Sequence, residues 1–482
     1  MTSNPYPYNK EDKNSILSYA LLLKDKSLRD SIDLTHFSEA KIGNKGGFGQ
    51  ILEKFYFLKE LDSESQPDFP EAGLELKSSP LKTLSKKEIR AKERLVLNII
   101  NYHNLVTQEF STSSFYSKNA NLLLVFYLYS KNVEVLDFPI KLIGIWEFPE
   151  DDLKVIEHDW NLIRNKVADG QAHTLSEGDT FYLGACTKGA NASSLRSQPF
   201  SDIEAKQRAF SLKAGYVNHI LAKLSGIEDG SFGKIASLPE LVNTNADIET
   251  IALNKLKPFY GLNPIEIAAK LGVELKASKD RLALLTKAML GISMSQQIEE
   301  FSKSDIESKT VRLSVKGNPD QAISFPAFAY TDLIQESWES SQINELIEKK
   351  FIFYFFQYQS EIETDENLIF QHAYFWNMNF DDRQKVKQVW EDTKSLVSDG
   401  KIVQSVVEKI DDGKYKSTRF TYFPDVKNEV AHVRPHASTT KDVYPLPVPD
   451  QLTHATEYTK HSFWLNKSYI RDVIYKKSME QK

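Results

Sequence analysis

Two tandem copies of one α/β domain, joined by a small helical linker, are the fold that this sequence of 482 residues predicts. Three observations carry the prediction. Trp146, Asp151, Asp152, Trp160, Asp169 and Gly170 recur as Trp376, Asp381, Asp382, Trp390, Asp399 and Gly400 at one constant, gapless offset. The same offset lays the apolar run 122–130 over 352–360. A later pair, Phe210-x-Leu212-x-x-x-Tyr216 and Phe463-x-Leu465-x-x-x-Tyr469, follows in the same order after a modest insertion. Ordered matches of this kind mark an internal duplication, and the chain is too long for one typical core.

Each element follows from local pattern. Phe48, Ile51, Leu52 and Phe55 repeat at helical spacing behind the glycine-rich stretch Gly43-Asn44-Lys45-Gly46-Gly47-Phe48-Gly49. That stretch fits neither the P-loop nor the dinucleotide fingerprint and reads as a loop feeding a helix. Residues 73–77 alternate with a period of two, so Leu74 and Leu76 point one way and Glu75 and Lys77 the other, as in a half-buried strand. The apolar runs 122–129 and 351–356 are far too short to span a bilayer and read as buried strands. A helix begins near Asp151 and Asp152, whose charges complement its dipole, and Gly170 can end it. Segments 247–256, 264–271 and 280–290 have helical apolar spacing; residues 267–273 fit either a connecting bundle or part of a helix-turn-helix. The division is therefore 1–225 for the first domain, 226–299 for the helical linker and 300–482 for the second domain.

A formal net charge of -6 gives no global basic signature, so any nucleic-acid binding must use local patches. The single cysteine, Cys186, rules out an internal disulfide framework and fits a reducing compartment, with the cytoplasm as the simplest assignment. No apolar signal core precedes residue 10, and no membrane span is expected.

The stretch Pro67-Asp68-Phe69-Pro70-Glu71-Ala72-Gly73-Leu74-Glu75-Leu76-Lys77 combines two carboxylates and an amine. Pro67 and Pro70 favour extended or turn backbone, so Asp68 can return toward Glu75, which shares a strand face with Lys77. Mg²⁺ binds carboxylate oxygens yet keeps several waters, one of which can attack a phosphodiester while Lys77 orients or deprotonates it. A charged edge strand is the competing reading, since Glu11/Lys13, Glu204/Lys206, Glu274/Lys276 and Glu348/Lys350 repeat the Glu-x-Lys spacing. Glu53 flanks the helical stripe and either stays at the surface or reaches this cluster. In the second copy the corresponding strand reads Lys309-Thr310-Val311-Arg312-Leu313-Ser314, placing Arg312 and Ser314 where Glu75 and Lys77 stand. Without a carboxylate pair that copy is expected to bind or regulate.

Lys77, Lys82, Lys86, Lys87, Arg90, Lys92 and Arg94 make either a solvated face or a phosphate-neutralising one. Residues 186–199 read as a polar turn or as a loop that meets base edges, where Lys suits guanine and Asn or Gln suits adenine. In its counterpart, His432-Val433-Arg434-Pro435-His436, Pro435 interrupts helical presentation and no further ligand lies at metal spacing. Arg434 as a base or phosphate contact is the better reading.

Together these motifs resemble the MutH-like nucleases, and more closely the Sau-type restriction endonucleases that cut at the DNA sequence GATC. Lys45-Gly46, the helix with Glu53, Asp68, Gly73-x-Glu75-x-Lys77, Trp160, Lys188, Asn191 and Phe210-x-Leu212 occur in the family's order, and the words 92–102, 186–196 and 206–213 look like the restriction enzymes specifically. The resemblance implies a restriction-endonuclease-like core in each copy, a central mixed sheet flanked by helices. It implies Asp68 and Glu75 as Mg²⁺ ligands, Lys77 at the nucleophilic water, Glu53 as an additional acid and Lys118 as a further active-site lysine. DNA contacts fall to Lys45, Lys188, Asn191, Arg196, Arg208 and Lys213, and to Arg434 and His436 in the second copy. Cys186 stands where MutH has Arg. The implied activity is that of a type II restriction endonuclease on double-stranded DNA, with the second domain as an allosteric DNA-binding effector. Two molecules are expected to meet on the DNA, and a methyltransferase is the implied genetic companion. A MutH-like mismatch-repair nickase and a non-cutting GATC-binding regulator are the rival expectations.

Overall fold

The computed structural model describes residues 6–33, 47–59, 66–84, 88–188, 194–227, 230–243, 247–411, 414–439 and 441–480, which form a mixed α/β protein. Contacts divide the chain into two compact units, Met1–Ile251 with Ser295–Ile306, and Ala252–Met294 with Glu307–Lys482. Segment 226–299, expected as a linker of its own, is thus shared between them. Its helices form where the apolar spacing places them, at Ile248–Leu256, Pro264–Leu271 and Arg281–Met289, and the last two pack on each other.

In the first unit β1 (Glu75–Thr83) runs parallel to β4 (Asn121–Leu128), with β2 (Ile89–Ala91) and β5 (Ile140–Glu147) antiparallel on the outer sides. Leu122, Leu123, Leu124, Val125 and Phe126 are all buried, as a strand covered on both faces requires. One face packs on helix Lys13–Leu21 and on Phe48, Ile51 and Leu52. A second sheet joins β3 (Leu95–Ile99), β9 (Arg208–Leu212) and β6 (Leu183–Thr187) in that order. Between β5 and β6 in sequence lies helix Glu150–Ala168, whose Trp160 is fully buried, with Glu150, Asp151 and Asp152 in its first turn. The hairpin β7 (Leu195–Gln198) to β8 (Ser201–Lys206) and the short pair β10 (Phe232–Gly233) with β11 (Gln297–Ile298) complete the unit.

The second unit repeats the strand order. β12 (Glu307–Leu313) is parallel to β14 (Phe351–Tyr358), which is antiparallel to β15 (Leu368–Trp376). Helix Phe380–Ser398 follows, of 19 residues like its counterpart. β13 (Ile323–Phe328), β21 (His461–Leu465) and β18 (Ala431–Pro435) form the second sheet. Two antiparallel pairs, β16 (Val403–Asp411) with β17 (Lys414–Thr421) and β19 (Val443–Pro445) with β20 (Glu457–Thr459), form separate two-stranded sheets. Single contacts match as well: Tyr216 donates to Asp152 at 2.8 Å and Tyr469 to Asp382 at 2.7 Å. Gly170 and Gly400, just past the two long helices, take φ of +70° and +66°. A Cβ at either would lie 2.6 Å from the Phe200 carbonyl oxygen or 2.5 Å from that of Pro449. Among the described residues no helix is long and apolar enough to cross a membrane.

Candidate active site

β1 begins at Glu75, and a tight turn sets Asp68 against it. Phe69 and Leu74, both buried, bridge across this turn, and Gly73 inside it takes φ +61°, a conformation glycine adopts without steric cost. The Asp68 N–H donates to Glu75 Oε2 at 3.0 Å, and Asp68 Oδ2 accepts from the Leu76 N–H at 2.9 Å. Lys77 donates from Nζ to Glu75 Oε1, and Lys118 Nζ lies 3.8 Å from the same oxygen. Lys118 comes from helix Ser114–Asn119, which leads into β4. Lys59 Nζ donates to the Asp68 carbonyl and lies 3.9 Å from Asp68 Oδ1. Two carboxylates are thereby surrounded by three ammonium groups.

Glu75 is 1% exposed. Burial, the largest effect, pushes its carboxyl up; Lys77 pulls it down, Asp68 pushes it up, and the net shift is upward. A carboxylate that ionises against such opposition, beside a second carboxylate, gains most from a divalent cation. Among the described residues no group of three or more His, Cys, Asp and Glu side chains is placed to hold a metal. Asp68 and Glu75 could together offer two hard oxygen ligands, a number compatible with Mg²⁺, which takes one or two carboxylates and keeps its waters.

Glu53 sits half-buried in the first turn of the π-helix Leu52–Tyr56, and its carbonyl accepts from the Lys59 N–H at 3.1 Å. Backbone therefore ties it to the lysine that holds Asp68. Lys45 and Asn191 lie outside the described residues. Lys188 is exposed at the end of β6, and Arg196 is exposed on β7 with its guanidinium on the Leu195 carbonyl at 2.8 Å and Gln207 Oε1 at 2.9 Å. The expectation for Arg208 and Lys213 needs correcting. Both are 4% exposed: Arg208 donates to the carbonyls of Ala185 and Leu175, and Lys213 donates to that of Thr180 at 2.6 Å. Their charges satisfy buried carbonyls, so in this structure they brace the β6 and β9 region and do not present themselves to DNA. Arg434 is exposed with its guanidinium 3.6 Å from the Trp464 ring centre, and His436 Nδ1 lies 3.0 Å from Ser462 Oγ.

Sequence reasoning passed over Lys59. Nothing in its spacing marks it, because it reaches Asp68 from the far side of segment 60–65; its side chain is only 15% exposed and also lies over the Phe69 ring. The register of β12 also needs correcting. Glu75 pairs with Leu122 and Leu122 with Trp146, while Glu307 pairs with Phe351 and Phe351 with Trp376. Anchored on the two tryptophans, Phe351 rather than Ile352 takes the place of Leu122, one residue off the sequence offset, so Glu307 and Lys309 stand at the places of Glu75 and Lys77, and Arg312 and Ser314 lie further along the chain. Arg312 instead pairs with Asp320 at 3.1 Å. Lys309 and Lys349 hold Glu307 at 3.3 and 3.2 Å.

The family model for the DNA mismatch repair enzyme MutH matches residues 57–159, a segment that includes Asp68, Glu75, Lys77 and Lys118. The chain is 36% identical over 462 residues to the type II restriction enzyme Sau3AI of Staphylococcus aureus, covering 89% of this chain and 92% of that protein. It is 25% identical over 169 residues to the DNA mismatch repair protein MutH of Buchnera aphidicola subsp. Baizongia pistaciae, covering 34% of this chain and 74% of that protein. The MutH of Shewanella woodyi is 28% identical over 188 residues, covering 38% of this chain and 79% of its own length.

Proposed function

Because the chain belongs to the family of type II restriction enzymes that includes Sau3AI, and is a site-specific deoxyribonuclease with a MutH-like domain, we propose that it hydrolyses both strands of DNA at GATC, using the Asp68, Glu75 and Lys77 cluster. The observation that carries this reading is the pair of hydrogen bonds that lock Asp68 and Glu75 together at the start of β1, with Lys77 on Glu75. Asp68 and Glu75 would hold Mg²⁺, which when bound supplies Lewis-acid polarisation of the phosphodiester. Lys77 Nζ holds and orients the attacking water, Lys118 adds positive charge toward the phosphate, and Lys59 keeps Asp68 in place. Glu53 enters as a further acid on the same side of the domain. Lys188 and Arg196, exposed next to segment 189–193, face DNA as candidate contacts, together with Lys45 and Asn191.

Among the described residues each chain carries one such cluster, whereas a palindrome must be cut on two strands. Two molecules therefore meet on the DNA. The second unit, with the same strand order and, among the described residues, no counterpart of Asp68, is read as a duplicated domain that binds another copy of the target through residues such as Arg434 and His436. That binding would promote pairing of molecules, a coupling between two sites. A methyltransferase that protects the host DNA, and a cytoplasmic setting, complete the reading. The mismatch-repair nickase is the weaker alternative, since the MutH relatives match little more than a third of the chain.

The test is digestion of unmethylated plasmid with wild type and Glu75→Ala. Wild type should give linear fragments that end at GATC and need Mg²⁺. Glu75→Ala should lose more than the roughly 10–100-fold typical of a mere supporting partner of a metal ligand. Fragments without GATC ends, nicked product alone, or full activity in Glu75→Ala would each refute the proposal.

A further inference from the structure

We propose that Lys309 and Lys349, steered by Glu307, form a metal-independent seat for a DNA backbone phosphodiester in the second unit, at the place where the first unit carries its cutting cluster. The inference rests on the effector reading of that unit and names the contact through which it holds DNA. Register comes first. Glu75 and Glu307 both open the parallel strand of their unit, in rows that end on Trp146 and Trp376, and a lysine follows two residues later in each. Each glutamate also meets a lysine from just ahead of the next strand, Lys118 before β4 and Lys349 before β14.

Charge then separates the two places. In the first unit two carboxylates face Lys59, Lys77 and Lys118; in the second one carboxylate faces two lysines. Burial pushes the Glu307 carboxyl up, but Lys309 and Lys349 outweigh it and the net shift is downward, opposite to Glu75. Among the described residues a divalent cation has no carboxylate pair to bind there. An anion finds two ammonium groups with side chains 28% and 24% exposed, gathered on a single glutamate. The missing acid also has a physical reason. The residues ahead of β12, Ser295–Ile306, belong to the first unit. There Glu300 accepts from the Ile235 and Ala236 N–H groups, and Asp305 accepts from the Gly215 N–H at 3.0 Å. Both acids thus have partners within the first unit. Two lysines without that acid bind a phosphodiester and leave it intact.

The test uses the full chain with Lys309→Ala and Lys349→Ala together. Binding to a GATC duplex is measured in EDTA across a salt series, and cleavage is followed on plasmids with one and two sites. The slope of log affinity against log salt should fall by about 1 per lysine. The two-site advantage should shrink by about 10-fold. The paired Lys→Arg variant should restore both, which separates loss of charge from misfolding. Glu307→Gln should tighten binding, because it releases the lysines. An unchanged salt slope and two-site advantage in the double alanine variant would overturn the seat, as would weaker binding in Glu307→Gln or binding there that requires Mg²⁺. If wild type cuts one-site and two-site plasmids alike, the effector reading fails, whereas a lowered salt slope in the variant still upholds the seat.

Discussion

Glu75 is pulled in two directions, and the conflict is measurable. Burial beside Asp68 raises its carboxyl above the ordinary glutamate range despite Lys77. A carboxyl whose folded-state pKa exceeds its unfolded value binds more protons in the folded state across that window, so stability falls as pH rises through it. Glu75→Gln escapes this loss because it does not ionise. In metal-free protein it should therefore melt at a higher temperature than wild type near about pH 7 and level with it below about pH 4, where both are neutral. Cleavage should be lost at every pH. A wild type that melts higher than Glu75→Gln in EDTA at neutral pH would show that Lys77 and Lys118 already offset the burial. Such a trade of stability for function is what a site prepared for a cation predicts.

The elements were legible in the sequence to the degree that something local pins them. Helix Glu150–Ala168 and helix Phe380–Ser398 stand out because acids start them and a glycine ends them. The turn from Asp68 to Glu75 is equally readable, since two prolines, a glycine and a period of two converge between Pro67 and Lys77. β12 has no such pin. Its alternation survives a slip, so only strand pairing across to Trp376 reveals Glu307 as the counterpart of Glu75. Arg208 and Lys213 misled for a different reason: charge reads as exposure in a sequence, and the carbonyls that bury these two come from residues more than twenty positions away. The glycine ends allow a direct test. Gly170→Ala and Gly400→Ala would each combine left-handed backbone with a carbonyl oxygen within 2.6 Å of the new Cβ. Each should cost on the order of 3 kcal/mol in urea unfolding. Gly73→Ala, with nothing within 4 Å of its Cβ, should cost only about 1 kcal/mol. Equal losses at all three would mean that backbone strain alone decides.

Over the whole molecule, the two units share a vulnerability to acid that the lone sequence does not disclose. His219 in the first unit and His461 in the second are each held down to about 4, chiefly by burial; Lys303 adds to the effect at His219, while the Thr459 carbonyl opposes it at His461. A histidine whose folded-state pKa is depressed stays neutral in the fold but takes a proton when the chain unfolds. Stability from it is therefore present above the ordinary histidine range and is lost as pH falls toward 4. Each contributes a tilt of up to about 1.4 kcal/mol per pH unit across that window. The buried carboxyls of Glu75, Asp152 and Glu300, all shifted upward, tilt the other way over the lower part of the range. The wild-type curve alone is therefore ambiguous, and the informative quantity is a difference. His219→Gln and His461→Gln should each lose less stability than wild type between about pH 6.5 and pH 4, and the double variant should show the two effects added. Urea unfolding at several pH values measures this. Parallel curves for wild type and the single variants would mean that the imidazoles take up protons in the folded chain as readily as in the unfolded one, so that burial does not govern either histidine.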